Sequence, residues 1–374
     1  MSSTTWTAGG SWPRPCRSLR TRLGKNLSIE TRHDRRKSDR TRERARQSHL
    51  VLFVLASALA VLAAAFVAQA AGLEQVGRVT SRLDAPWLVI CLGGELIGYI
   101  GYVVALRNIA RVDDGPRLSF ALTARTVVSG FGVYAAAHAA GGFAVDYWAL
   151  RRAGLKREQA IARVAGLGVL EYAVLAPVAL VCALVLLAGS GDHVEKSMTL
   201  PWLAVIPGFG AALWVSSPKR HARLTDPLSG GRIRGSIAHA IAGVVTLRAL
   251  CRRPAHHLPG LLGVGFYWFG DIACLWAALH TFSVRVSLPA LVVAYATGYV
   301  ASRRSLPAGG AGIVEVLMTF ALVWVGLPLA PALAGVLVYR LFNFWLPIVP
   351  ALALLPSVKR LRLAYEQAEA AELG

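Results

Sequence analysis

The chain has 374 residues, of which 55% are hydrophobic and 16% charged, and its mean hydropathy is +0.51. Soluble globular proteins carry about 25% charged residues, so this composition excludes that class and indicates an integral membrane protein. The 40 Lys and Arg exceed the 20 Asp and Glu by a formal charge of +20. In a soluble protein this excess would suggest nucleic-acid binding, but in a membrane protein it also arises when cationic loops collect on one side of the bilayer. We therefore expect no nucleic-acid partner.

Residues 1–48 form a basic segment with thirteen Lys and Arg and four acidic residues. The segment lacks an apolar run long enough to be buried, which predicts a disordered cytoplasmic tail. The apolar run 51–71 has about the twenty residues that cross a hydrocarbon core, and we interpret it as an uncleaved anchor. We place the membrane domain at 49–356 and a short cytoplasmic tail at 357–374.

Eight more apolar segments follow the first. Each is too long for a strand, and helices are expected because they satisfy their own backbone hydrogen bonds in lipid. The nine predicted segments are 51–71, 86–106, 119–140, 161–188, 199–217, 260–282, 288–305, 311–328 and 332–356.

The Lys and Arg between these segments predict the topology. If all nine crossed, the basic loops 107–118 and 141–160 would face opposite sides, although cationic loops favour the cytoplasm. The conflict disappears if 119–140 is a re-entrant hairpin, broken at the Ser-Gly-Phe-Gly stretch 129–132 and closed by the glycine pair 141–142. The prediction is an all-α polytopic protein with about eight transmembrane helices and one re-entrant hairpin. Both termini are then cytoplasmic in a bacterial-type plasma membrane, with 33 Lys and Arg inside, 4 outside and 3 within the segments.

The long basic loop 218–259 contains apolar residues at helical spacing, followed by Arg248, Arg252 and Arg253. This pattern predicts an interfacial amphipathic helix with its cations toward anionic headgroups. The five cysteines form no CxxC motif or Cys/His cluster, and the histidines and acids are dispersed. The sequence therefore predicts no metal site and no cofactor.

One group of polar residues follows the predicted hairpin. Gly141 and Gly142 are followed by Asp146 and Arg151, and Glu171 lies in the next apolar segment. An ionisable group in hydrocarbon costs about 2.5–3.5 kcal/mol, so each needs a partner or an aqueous cavity. Glycines at a helix terminus expose backbone N–H groups that can receive an anion such as a phosphate.

A second group opens the segment near residue 311. Pro307, Gly309, Gly310 and Gly312 precede a helical run, and Glu315 lies one turn inside it. An unwound segment beside a helix N-terminus is a device that transporters use at substrate sites. The alternative interpretation is a tight turn between two spans.

These two glycine motifs, in this order, resemble the membrane domain of bacterial lysylphosphatidylglycerol synthases and its stand-alone flippase-like relatives. The second motif is followed by Tyr339-Arg340 and by Trp-Leu-Pro at 345–347, which is similar to that family's most recognisable stretch. The resemblance covers about 49–356. Two departures are Phe143, where the family carries an acid, and Ala308, which interrupts the Pro-Gly-Gly turn.

The resemblance implies a lipid-handling domain that moves a headgroup across the bilayer. The glycine N–H groups and the cations would receive a headgroup phosphate, while acids would hold cationic headgroup parts or balance Arg340. Full-length synthases add a soluble aminoacyl-transferase domain. Because this chain ends at Gly374, we expect no such activity and no catalytic residue of that kind. The candidate substrate-binding residues are Gly141, Gly142, Asp146, Arg151, Glu171, Asp271, Pro307, Gly309, Gly310, Gly312, Glu315, Tyr339 and Arg340.

Two other functions stay open at this stage. A membrane-embedded transferase acting on a lipid-linked substrate would need an acid/base pair, for which Glu171 and Glu315 are the candidates. A non-catalytic partner of a synthase or glycosyltransferase is the other alternative, and a homo-oligomer is also open. Anionic membrane lipids are the expected ligands, and because the chain has no Walker motif, a gradient or a partner would drive transport.

Overall fold

The computed structural model describes residues 84–136, 139–189, 194–215, 241–248, 254–300 and 311–354, and single positions at 69, 217, 252, 356, 360 and 363. The predicted tails, the first span 51–71 and the turn 307–310 lie outside these residues, apart from those single positions. The described parts of the chain form helices and contain no strand. This all-α polytopic architecture confirms the predicted fold class.

The helices of the described residues are labelled in chain order. They are α1 Pro86–Ala110, α2 Phe120–Ala136, α3 Ala139–Arg152, α4 Arg157–Leu187, α5 Lys196–Val215, α6 241–248, α7 Pro254–His280, α8 Leu288–Val300, α9 Ile313–Trp324 and α10 Leu329–Leu354. Helices α1, α4, α5, α7 and α10 are long and apolar enough to cross a membrane. Helices α8 and α9 have 13 and 12 residues within the described chain; α9 is shorter than the predicted span 311–328, and residues 301–305 of the predicted span 288–305 lie outside the described residues.

Helix α1 packs more extensively on α7 than any other described pair of helices. Glycines make this possible: a Cβ added at Gly94 would lie 2.6 Å from the carbonyl oxygen of Gly270, and one at Gly101 would lie 2.4 Å from that of Gly263. The two backbones are therefore in direct contact along antiparallel axes. Such close approach through small residues stabilises helix pairs in lipid, where burial of apolar surface between helices gives little.

A cluster of buried apolar side chains defines one end of the helix bundle, which we call the basic end. Its members are Ala110, Leu118, Leu150, Leu155 and Ala160. The basic loops predicted to be cytoplasmic meet here. Arg163 donates to the Val112 carbonyl at 2.7 Å and pairs with Asp113 at 2.9 Å, which ties α4 to the segment after α1.

Helices α2 and α3 pack against each other as a hairpin. Both Leu118, just before α2, and Leu150, near the end of α3, belong to the cluster at the basic end. The hairpin therefore starts and finishes at the same end, as the charge distribution requires. Its re-entry into the bilayer stays a prediction.

The predicted helix break at 129–132 is wrong, because α2 continues through these residues. The glycines there serve close packing instead. A Cβ at Gly130 would lie 3.5 Å from the Gly142 carbonyl oxygen, and one at Gly132 would lie 2.1 Å from the Ala351 Cβ. Gly141 and Gly142 consequently lie in the first turn of α3, at the hairpin tip rather than at its exit.

Helices α8 and α9 form a second antiparallel hairpin, in which a Cβ at Gly298 would lie 2.8 Å from the Met318 Cα. This hairpin opens at the opposite end of the bundle. Its first helix follows the end of α7, where the Asp84 N–H, just before α1, donates to the Thr281 carbonyl at 2.9 Å. The two hairpins thus enter the bundle from opposite ends.

Helix α6 lies within the loop for which an amphipathic helix was predicted. It packs on α4, since a Cβ at Gly243 would lie 2.9 Å from the Ala165 carbonyl oxygen, and the Thr246 hydroxyl donates to the Ala162 carbonyl at 3.5 Å. The apolar spacing of this segment therefore corresponds to a helix. Its position at the membrane interface stays a prediction.

The hairpin geometry and the charge count predict that single cysteines placed at 151–157 react only from the cytoplasm. The expected result is labelling by an impermeant thiol reagent in inside-out vesicles and none in intact cells, because both flanking basic loops meet at one end. A cysteine at Arg285, in the connection after α7, should give the reverse pattern. Strong labelling of 151–157 in intact cells would contradict the topology.

Candidate functional site

Asp271 of α7 is the acceptor in a network of side chains from three helices. It is 2% exposed. Its carboxylate accepts hydrogen bonds from the Tyr295 hydroxyl of α8, from the Tyr339 hydroxyl of α10 at 2.9 Å, and from the Asn343 amide of α10 at 2.7 Å. Buried carboxylates require such donors, and here the donors join α7, α8 and α10 at one point.

Glu315 and Arg340 form a buried ion pair beside this network, with the Arg340 Nε 2.8 Å from the Glu315 Oε1. The other carboxylate oxygen accepts the backbone N–H of Gly312 at 2.7 Å. Gly312 precedes α9 with φ +87°, a conformation that glycine adopts without strain. The Arg340 guanidinium also lies 4.3 Å from the centre of the Phe344 ring.

Glu315 lies in the first turn of α9, as its spacing from the glycines predicted, and both Glu315 and Arg340 are buried. The carboxylate of Glu315 occupies the N-terminal end of α9, where unpaired N–H groups and the helix dipole favour an anion. The π-helical turn Leu341–Trp345 follows Arg340 directly and contains Asn343. Turns of this type inside α-helices are frequent at functional sites.

Glu95 of α1 belongs to the same centre and was not among the predicted site residues. Its carboxyl group interacts with Asp271 and with Asn343. Its Oε1 is buried and has no hydrogen-bond partner among the described residues. We call Glu95, Asp271, Asn343, Glu315 and Arg340, with the two tyrosines on Asp271, the central site.

A second polar centre lies between α3 and α4. Asp146 accepts a hydrogen bond from the Tyr102 hydroxyl of α1 at 3.4 Å and interacts electrostatically with Glu171. Both acids are almost completely buried. The Trp268 indole N–H of α7 donates to the Glu171 carbonyl at 2.8 Å, which ties α4 to the helix that carries Asp271.

Aromatic side chains connect the two centres. Successive ring centres lie 4.8 to 6.4 Å apart, within the range of favourable aromatic contacts. In order the rings are Phe131, Tyr102, Tyr267, Trp268, Tyr295 and Tyr339. Tyr102, the second ring of this row, donates to Asp146, and Tyr339 at the far end donates to Asp271.

The remaining predicted site residues lie elsewhere or outside the described chain. Arg151, in the last turn of α3, donates to the Leu155 carbonyl at 2.8 Å and so ties the end of α3 to the segment that follows it at the basic end. It lies nine residues beyond Gly142, and its role in substrate binding stays a prediction. Pro307, Gly309 and Gly310 are outside the described residues.

The chain was compared with known protein families and with curated proteins. The family model described as lysylphosphatidylglycerol synthase TM region matches residues 53–351. No curated protein matches the sequence. The family match covers helices α1 to α9 and α10 as far as residue 351, and together with their length and apolar composition it shows a multi-pass integral membrane protein of a lipid-related family. The chain belongs to the family of the lysylphosphatidylglycerol synthase transmembrane region.

Proposed function

We propose that this protein moves the headgroup of an anionic phospholipid or lipid-linked molecule across the membrane, as a flippase-like transporter. One observation carries the proposal: the buried Arg340 and Glu315 meet at the N-terminal end of the short helix α9, next to Asp271. Helices interrupted within the membrane, with their N-termini at a polar site, are typical of transporter substrate sites.

The contacts of Glu315 suggest how an anionic headgroup would bind. Its carboxylate now accepts from the Gly312 N–H and from Arg340, and a phosphate could accept from the same two donors. Binding would then exchange one anion for another, so that the guanidinium is never left without a counter-charge. The released carboxylate of Glu315 would be free to hold a cationic part of the headgroup.

The contacts of Glu171 and Glu315 favour a transport function over a membrane-embedded transferase. A transferase would need Glu171 and Glu315 as an acid/base pair, but Glu171 interacts with Asp146 and Glu315 with Arg340. The two acids therefore belong to different centres. A synthase or glycosyltransferase partner and self-association stay open as additional features of a transporter.

Headgroup translocation in proteoliposomes tests this function. We expect the protein to accelerate movement of one or more labelled lipids from a panel of phosphatidylglycerol derivatives and polyprenyl-phosphate sugars, relative to empty liposomes. Glu315→Gln should abolish the acceleration. Asp113→Asn is the matched control, since it removes the exposed partner of another ion pair at the basic end and should leave the rate within about twofold of the parent. Absence of any acceleration by the parent across the panel would contradict the proposal.

A further inference from the structure

The order of helices occurs twice in the described chain. Helix α1 is followed by the hairpin α2–α3 and the long helix α4, and α7 is followed by the hairpin α8–α9 and the long helix α10. The two long first helices are antiparallel, and the two hairpins enter from opposite ends. Helices α7 to α10 therefore resemble helices α1 to α4 in inverted orientation.

Contacts between α1 and α7 show a two-fold axis with a constant sequence offset. Gly94 and Gly101 correspond to Gly263 and Gly270, since 263 − 94 and 270 − 101 are both 169. A Cβ at Gly94 would lie 2.6 Å from the Gly270 oxygen, and a Cβ at Gly263 would lie 2.6 Å from the Gly101 oxygen. The reciprocal distances, from Gly101 to the Gly263 oxygen and from Gly270 to the Gly94 oxygen, are 2.4 and 2.2 Å.

Neighbouring contacts obey the same offset. A Cβ at Gly101 would lie 2.7 Å from the Tyr267 nitrogen, and one at Gly270 would lie 2.6 Å from the nitrogen of Gly98, which is the counterpart of Tyr267. The interface is thus symmetric in its backbone, although the side chains around it differ.

The same offset of 169 residues relates the acidic and basic residues of the two polar centres. Asp146 corresponds to Glu315, and Glu171 corresponds to Arg340. Glu315 and Arg340 form an ion pair at 2.8 Å, and Asp146 and Glu171 interact electrostatically. The glycines Gly141 and Gly310 of the two sequence motifs are also 169 residues apart. The glycine contacts between α1 and α7 and the positions of the polar residues in the sequence therefore align the two halves of the chain with the same offset of 169 residues and without gaps.

We infer that residues 86–187 and 255–356 form an inverted repeat, and that the hairpins α2–α3 and α8–α9 are equivalent gates at opposite ends of the bundle. The gating role rests on the proposed transport function, whereas the repeat does not. Inverted repeats of this kind let a transporter expose one central site alternately to the two sides, as each half adopts the conformation of the other.

The polar pairs make the two gates unequal. In the second half an ion pair ties α9 to α10, whereas in the first half the corresponding positions, Asp146 of α3 and Glu171 of α4, are both acids. An ion pair stabilises the contact between the two helices that carry it, whereas two acids cannot form an ion pair with each other. We therefore expect the α8–α9 gate to be held more firmly than the α2–α3 gate.

Glu171→Arg tests the equivalence of the two pairs without any transport assay. If position 171 corresponds to 340, the new guanidinium should pair with Asp146, and the yield of folded, monodisperse protein in detergent should stay within about twofold of the parent. Leu170→Arg is the control, because the neighbouring Leu170 is 1% exposed and its counterpart is Tyr339, so folded yield should fall at least about tenfold. Adding Asp146→Asn to Glu171→Arg should remove the tolerance. Equal loss for both arginine variants, or no effect of Asp146→Asn, would overturn the repeat.

Exchanging the charges between halves tests the gates. The parent for this test is a variant in which the five native cysteines are replaced by alanine. Single reporter cysteines are then introduced as Ala149→Cys on α3 or Met318→Cys on α9, two buried positions that correspond under the offset. A soluble maleimide should modify position 149 faster in the parent and position 318 faster in the Glu171→Arg/Arg340→Glu variant. An unchanged order of rates would overturn the gating role. Neither the folded yield nor the maleimide rate depends on lipid transport. A protein that has the repeat but no transport activity would therefore give the expected results in these two experiments and no headgroup translocation in proteoliposomes.

Discussion

Arg340→Gln should lower the free energy of unfolding in detergent by about 3–5 kcal/mol, because the Glu315 carboxylate would remain buried without its counter-charge. Glu315→Gln should have a cost of similar size, since it leaves the guanidinium beside Phe344 without a carboxylate. Denaturant unfolding of the purified variants, followed by tryptophan fluorescence, measures both effects.

The double variant Glu315→Gln/Arg340→Gln separates stability from function. With both charges removed, neither partner is left uncompensated, so the free energy of unfolding should return most of the way to that of the parent. Lipid movement should stay absent, because the double variant has no cation for a phosphate. Single variants as stable as the parent would show that this ion pair does not hold α9 against α10.

Gly270→Ala and Gly94→Ala should each cause a large loss of folded protein. The added Cβ atoms would lie 2.2 Å and 2.6 Å from backbone carbonyl oxygens of the facing helix, and neither backbone can move aside cheaply. Overpacking of this kind costs about 1–3 kcal/mol or more in a well-packed core. Size-exclusion chromatography of the detergent-solubilised variants measures the loss.

Gly265→Ala and Gly93→Ala provide matched controls in the same two helices. A Cβ at either position meets no atom within 4 Å. Replacing glycine by alanine in a helix then stabilises it, by about 0.4–1 kcal/mol, through a smaller loss of backbone entropy. The change in stability should therefore be negative for Gly94→Ala and Gly270→Ala and positive for Gly93→Ala and Gly265→Ala. A similar outcome for Gly93→Ala and Gly94→Ala would refute the direct contact of α1 with α7.

Hydropathy and charge predicted the parts of this structure that depend on the solvent rather than on specific partners. Long apolar runs become helices because lipid leaves the backbone no other donor or acceptor, and the basic loops 107–118 and 151–157 meet at one end. Glu315 and Arg340 could be placed inside the bundle for the same reason, since an ionisable side chain is costly in hydrocarbon. The family resemblance stated on their motifs is confirmed.

The partners of Asp271 were beyond the reach of sequence reasoning. Tyr295 and Asn343 lie 24 and 72 positions away, and nothing in the spacing of an apolar helix shows which residue of a distant helix will face it. Asn343 carried a usable signal, as an amide within an apolar run directly after Tyr339-Arg340. Glu95 carried a similar one, between glycines that bring α1 against α7.

The glycines of α2 show a different limit. A glycine permits both a helix break and a close helix contact, so the stretch 129–132 is compatible with either. The three-dimensional structure distinguishes the two possibilities, because Gly130 faces Gly142 and Gly132 faces Ala351 at close-contact distances. The same ambiguity concealed the inverted repeat, because its two halves share an arrangement of small and polar positions rather than an extended run of identical residues.

Headgroup translocation by the double variant Glu315→Gln/Arg340→Gln, reconstituted beside the parent at equal protein per liposome, tests the central claim most directly. We expect the parent to move at least one anionic lipid faster than empty liposomes do, and the folded double variant to give the rate of empty liposomes. A double variant that is folded and moves lipid at the rate of the parent would contradict the claim that this buried pair binds the headgroup.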